Sequence, residues 1–192
     1  MSTQEGADPG APRKGQRTRR RILDAARGVF AAKGYERATI RAIAAAASVD
    51  KSSVIQYFGT KEQLFREAVA WTIPIDRLLA ADLGETADNM TRGILAAWAA
   101  EENSPMSVLL RASMTSDIAA QVLRTNVTAQ AVDSVAARID APDARLRAAV
   151  AAAMLMGIAS QRYVLRMPDL SAADTEDILR LVSPLLRRLL DP

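Results

Sequence analysis

The sequence predicts an all-α protein, and three observations carry that prediction. Apolar residues recur at three- and four-residue steps over most of the chain, the period of helices with a buried face. Alternating β-branched runs are scarce, and Gly and Pro fall mostly between the periodic segments. With 49% of residues apolar but only 4% aromatic, the core should be mainly aliphatic. A chain of 192 residues suits one compact body or two small ones. The expected division is a disordered tail over residues 1–12, a helical domain over 13–66 and a second over 67–192.

Composition narrows the chemistry. There is no cysteine and no histidine. Disulfides are therefore excluded, a transition-metal site is not expected, and the usual general base is missing. No Gly-rich phosphate loop or isolated carboxylate pair replaces it, so neither catalytic residues nor a cofactor are expected. No apolar run reaches the length of a membrane span, since the Ala148–Ala159 run ends at Ser160, Gln161 and Arg162. The amino terminus lacks an apolar signal-peptide core, and a cytoplasmic location is expected.

Charge is unevenly spread. Through Arg66 the chain carries 13 Lys or Arg against 6 Asp or Glu, whereas the remainder carries 12 against 16. A basic first third on an acidic body suggests that one end meets a polyanion.

In chain order, Arg13, Lys14, Arg17, Arg19, Arg20 and Arg21 form a basic run suited to phosphate contact. The first helix is expected from about Thr18 to Lys33, with Ile22, Ala25, Ala26, Val29 and Phe30 as its buried stripe and Gly34 as its stop. Thr39 caps a second short helix, in which Ile40 and Ile43 face the first. Asp50 opens a third, Lys51–Phe58, after a connection of only a few residues. So short a connection makes the two helices cross steeply, as a helix-turn-helix requires. At 100° per residue, Val54 and Phe58 point inward, Ser52 and Gln56 outward, with Ser53 and Ile55 on the flanks. Glutamine can pair bidentately with adenine, and serine serves several bases. Thr60 and Gln63 form a capping-box pattern, which places Lys61 in a first helical turn that already favours phosphate.

The segments RRRILDAARGVFAAKGYERATI, AIAAAASVDKSSVIQYF and GTKEQLF carry a resemblance over about residues 16–69. Phe30, Gly34, Thr39, Ile43, Ala44, Ala47, Val49, Phe58, Lys61, Glu62 and Leu64 stand where the TetR family of bacterial transcriptional regulators places such residues. The resemblance implies that Thr39, Lys51, Ser52, Ser53, Gln56, Tyr57 and Lys61 contact double-stranded DNA. Two departures matter. Ser48 stands where the family usually has glycine, and Ile55 where it often has a tyrosine that touches the DNA backbone. Ile55 either packs into the core edge or meets a thymine methyl.

Beyond Glu62 a connecting helix is expected to about Ile73, ended by Pro74. In the family this helix links the ligand pocket to the DNA-binding domain. Further helices are expected over 76–82, 86–101, from Ser104–Pro105 through Ala112, and over 117–139. The last two segments, 145–166 and 175–190, are apolar on more than one face and must be covered on more than one side. They fit either burial within the monomer or a homodimer interface, and the resemblance favours the dimer. Pro184 should bend or split the last helix.

The expected function is a homodimeric repressor on a palindromic operator, released by a small-molecule effector. An activator, or an adaptor that keeps the fold without ligand-gated DNA binding, fits the same residues. Candidate effector contacts are Trp98, Met106, Met154 and Tyr163, with Arg111 or Gln161 to hold a polar group. Trp71, Met90 and Met114 are further apolar candidates, although Met and aromatic residues also serve as ordinary core.

Overall fold

A computed structural model describes residues 14–100 and 103–191, and every regular element among them is helical. The expected disordered tail over residues 1–12 and the cationic Arg13 lie outside the described residues. The first four helices are α1 (Lys14–Arg37), α2 (Ile40–Ala46), α3 (Lys51–Phe58) and α4 (Lys61–Ala68). Helix α1 is interrupted at Gly34, which adopts φ 71° and ψ 169°. That backbone region is open essentially to glycine alone, so the stop expected there is dictated by the missing Cβ. The Thr39 hydroxyl accepts from the Ala42 N–H, and Thr60 with Gln63 forms a full capping box. Both starts follow from local chemistry.

One aliphatic and aromatic core holds these helices together and also reaches the second domain. Ile22, Phe30, Ile43, Val54, Phe58, Leu64 and Phe65 pack in one cluster with Val108, Leu109, Ala112, Ala119 and Val122. The last five come from α7 (Pro105–Ser113) and α8 (Asp117–Val127). Phe30, Tyr35 and Phe65 form an aromatic trio, with Phe65 edge-on to the other two rings at centroid distances of 4.9 Å. The basic domain is thus seated on α7 and α8 through buried side chains.

The second core lies among α6 (Leu83–Ala99), α9 (Asp133–Ala136), α10 (Ala144–Ala159) and α12 (Thr175–Leu190), around Leu95, Val135, Leu155, Leu186 and Leu190. A smaller cluster of Trp98, Met106, Leu110 and Ala159 bridges α6, α7 and α10. The short helices α5 (Ile75–Leu78) and α11 (Pro168–Ala172) complete the chain. Two π-helical turns, Thr128–Val132 and Ser160–Val164, follow α8 and α10.

Several boundaries differ from expectation. Helix α4 ends at Ala68, not near Ile73, because the Arg27 Nε–H donates to the Ala68 carbonyl at 3.1 Å and caps it. Residues 70–74 then form an irregular strap before α5. Gly84 lies inside α6 instead of ahead of it, since the Asp82 side chain caps the helix at Glu85. Pro184 does not split α12. It sits on an exposed face, where water can satisfy the carbonyl it leaves without an intrahelical donor.

Leu109 is fully buried where α7 meets the first four helices. Leu109→Ala should lower stability by about 2–5 kcal/mol, and the basic domain should melt together with α7 and α8. Thermal denaturation followed by circular dichroism checks both outcomes.

Candidate functional site

The turn between α2 and α3 explains how the third helix is aimed. Ser48 adopts φ 51°. Its N–H donates to the Ala45 carbonyl at 3.1 Å, and the Val49 N–H donates to the Ala44 carbonyl at 3.0 Å. This is the Schellman arrangement, whose left-handed position usually takes glycine. The serine therefore sits where a Cβ is strained, at a cost of about 1–2 kcal/mol. The turn still forms because Ala47 and Val54 on either side are buried in the first core.

Helix α3 is fixed on one face and open on the other. Val54 and Phe58 are buried, whereas Lys51, Ser52, Ile55, Gln56 and Tyr57 are exposed and Ser53 is half-buried. Ser52 and Gln56, one turn apart, share the open face. Ile55 is 45% exposed, so it belongs to that face and not to the core edge. Thr39 is exposed at the start of α2, its oxygen engaged in the cap and its O–H available for a phosphate. Asp50 starts α3 without a side-chain cap hydrogen bond.

Lys61 has a more specific placement than its position in the first turn implied. Its ammonium donates to the carbonyls of Tyr35 at 3.1 Å and Glu36 at 3.4 Å, and lies 4.4 Å from the Tyr35 ring centroid. It ties α4 to the end of α1, leaving one N–H for an outside acceptor. Burial, then the nearby carboxylates of Glu62 and Glu36, raise the Tyr35 phenol above its ordinary pKa and keep it neutral. Arg19 is likewise occupied. It pairs with Glu67, and its guanidinium lies 5.2 Å from the Phe58 ring centroid. Arg17, Arg20 and Arg21 remain exposed along α1.

A second feature lies in the carboxy-terminal domain. A partly open cavity of about 310 Å³ lies among the 71–74 strap, α5, α6, the start of α7, the end of α8 with its π-turn, and α10. Trp98 and Met106 line it, as do Trp71 and Met90, with Ile94, Leu155 and Met156. Other candidates fall elsewhere. Met154 packs against the second core, and Arg111 and Gln161 are exposed and absent from the lining. Tyr163 faces a separate open groove with Arg162 and Arg166. Met114 is 74% exposed.

Sequence reasoning missed Gln130. Its side chain holds the strap by two hydrogen bonds, accepting from the Ile73 N–H at 2.8 Å and donating to the Trp71 carbonyl at 3.2 Å. A polar residue in an otherwise apolar-periodic helix was the available signal, but nothing local pointed it at residues 71–73.

The last helices leave apolar groups in the open. Leu146 is 65% exposed and Val150 39% on α10, and Leu181 is 62% and Leu185 51% on α12. Each pair is four residues apart, so each forms a stripe along one helix face. A Cβ added at Gly157, further along α10, would meet nothing within 4 Å.

The fold and the open face of α3 define a DNA-binding transcription regulator of the helix-turn-helix class. Residues 22–68 match the family model described as bacterial regulatory proteins, tetR family, and residues 84–190 match the tetracyclin repressor-like C-terminal domain. The chain belongs to the TetR family. It is similar to a TetR-family regulator of Streptomyces coelicolor, with 28% identity over 97% of this chain and 99% of that one and a TM-score of 0.50. Its fold is also that of NalD, the secondary repressor of the MexAB-OprM multidrug efflux pump in Pseudomonas aeruginosa. There the identity is 20%, the coverage 90% and 96%, and the TM-score 0.70. The fatty acid degradation regulator FadR from Bacillus halodurans shares the fold at 18% identity, covering 88% and 97% with a TM-score of 0.65. Among curated proteins none matches the chain. No helix among the described residues is long and apolar enough to cross a membrane.

Replacing Ser48 with glycine should relieve the left-handed strain and raise stability by about 1 kcal/mol. Urea denaturation of Ser48→Gly beside the parent chain tests this.

Proposed function

We propose that the protein is a homodimeric repressor that binds a palindromic operator and releases it when a small molecule occupies the carboxy-terminal cavity. The observation that carries the reading is the open face of α3, where Lys51, Ser52, Gln56 and Tyr57 are exposed while Val54 and Phe58 anchor the helix. Gln56 and Ser52 read base edges in the major groove. Thr39, Lys51, Ser53, Tyr57 and the remaining N–H of Lys61 position the helix on phosphates. Ile55, unable to hydrogen-bond, meets a thymine methyl.

One such helix covers only a few base pairs, so a useful site needs two. The stripes of Leu146 and Val150 on α10 and of Leu181 and Leu185 on α12 support a four-helix bundle with two helices from each copy. A two-fold pair then sets the α3 helices about 34 Å apart, in successive major grooves. The effector acts through the strap: residues 71–74 form a wall of the cavity and continue directly from α4. Because α4 is bonded to α1 through Arg27, Arg19 and Lys61, a shift of the strap moves the reading domain as a body. The effector must bind the displaced state better than the DNA-competent one, or it shifts nothing.

Selection of bound duplexes from a random pool should recover an approximate palindrome with half-sites about 10 base pairs, or a multiple, apart. Binding should fall steeply with salt, with Lys51→Ala lowering the slope by about 1 and Gln56→Ala costing about 1–3 kcal/mol at the selected site. No salt-sensitive duplex binding, or a site without symmetry, would overturn the reading. Sedimentation should find a dimer for the parent chain and a folded monomer for Leu181→Glu combined with Leu146→Glu.

A further inference from the structure

The lining of the cavity restricts what can enter it. No charged residue is found among the described lining residues, and only Thr72 and Ser104 carry side-chain hydroxyls. The polar side-chain groups among the described lining residues are few and neutral: the hydroxyls of Thr72 and Ser104 and the indole N–H groups of Trp71 and Trp98. The Ser104 oxygen accepts from the Ser107 N–H at 3.3 Å, as the cap of α7. Both ends of the Gln130 amide are engaged by the strap backbone. The amino end of α7 faces the cavity but makes a poor anion cradle. Pro105 has no N–H and that of Ser107 is already taken, which leaves the Met106 N–H in place of the set of donors an anion would need.

A charged ligand seated here would give up much of its hydration and find, among the described residues, no opposite charge and only scattered neutral donors to replace it. Size adds a second limit. A volume of about 310 Å³ is at the small end of the roughly 300–1,000 Å³ seen for ligand sites. It equals about ten water volumes of ~30 Å³ each. The walls are long aliphatic and indole side chains from Trp71, Ile94, Trp98, Met106, Leu155 and Met156, which favour an extended or folded hydrocarbon.

We infer that the cavity takes an uncharged, largely apolar molecule of about ten non-hydrogen atoms, with no more than a hydroxyl-sized polar group, and excludes carboxylates and ammonium ions. This rests on the reading of the cavity as the effector site and adds the chemical class of the effector. The molecule carries its own probe, because the chain has two tryptophans and both Trp71 and Trp98 line the cavity.

The test titrates the full chain with 1-decanol, decanoate and decylammonium, which share a chain length and differ in charge. Tryptophan emission and calorimetry are the readouts. Decanol should shift the emission to the blue and bind at least about tenfold more tightly than either ion. Ala152→Leu, which fills the cavity from α10, should abolish most of that binding; Ala131→Leu takes its place if the first variant melts early. The inference is overturned if either ion binds as tightly as the alcohol. It is equally overturned if the alcohol leaves the emission unchanged, or if neither folded filling variant weakens binding. A gel shift with the selected operator keeps the two readings separate. Decanol that binds with the stated selectivity yet leaves the operator complex intact supports the ligand class and sinks the gating.

Discussion

The attachment of α4 to α1 is the constraint on which the rest of the molecule depends. Four different interactions make it. Phe65 sits edge-on between Phe30 and Tyr35, Arg27 caps the last turn of α4, Arg19 pairs with Glu67, and Lys61 holds the carbonyls at the end of α1. The exposed ion pair alone would contribute little. The aromatic trio is buried, and each such pair adds about 0.5–1.5 kcal/mol beyond its area. Arg19 also covers the Phe58 ring, which brings α3 into the same unit. The reading helix, aimed by its turn from α2, therefore moves as one unit with α1 and α4, and α4 is the element that leaves the domain.

What lies beyond α4 gives that rigidity its use. The strap is not helical, and its backbone groups at Trp71 and Ile73 are satisfied by one side chain, Gln130, from a π-helical turn. Such turns insert an extra residue into a helix and often mark functional positions. The cavity lies between the two surfaces that this amide joins, since Trp71 and Ile73 line it from one side and Val127 and Ala131 from the other. On the proposed gating, a ligand that widened the cavity would pull on these amide contacts. The strap would carry that pull to α4, which Arg27, Arg19 and Lys61 hold to α1. The coupling free energy available is bounded by the ligand's preference for the widened state.

The parts of this arrangement legible in the sequence are those set by neighbours along the chain. Thr39, Thr60 with Gln63, and Ser104 with Pro105 announced their helix starts, because a cap is a contact within three residues. The inward pair Val54 and Phe58 and the open face of α3 followed from helical period alone. The end of α4 did not, because the group that stops it, Arg27, is 41 residues away. Lys61 was taken for a phosphate contact on local grounds, and its carbonyl partners lie about one helix length back in the chain, around the Gly34 break. The candidate pocket residues divided for the same reason. Trp98 and Met106 reach the cavity, whereas Met154 sits only two residues from the lining Met156 and falls on another face of α10.

That last difference explains why the penultimate long helix is apolar nearly all round. On α10, Ala152, Leu155 and Met156 face the cavity, Ala148 and Ala151 are buried in the second core, and Leu146 and Val150 stand open on a further face. Three environments on one helix require apolar side chains in three directions, and a single amphipathic stripe cannot supply them. If the open face meets a second copy, as proposed, the ligand wall and the subunit contact are opposite sides of one helix. A displacement of α10 too small to disturb its packing would then be felt at both. The spacing of the two reading helices would depend on the cavity by this route as well as through the strap, and the two routes converge on the same rigid domain.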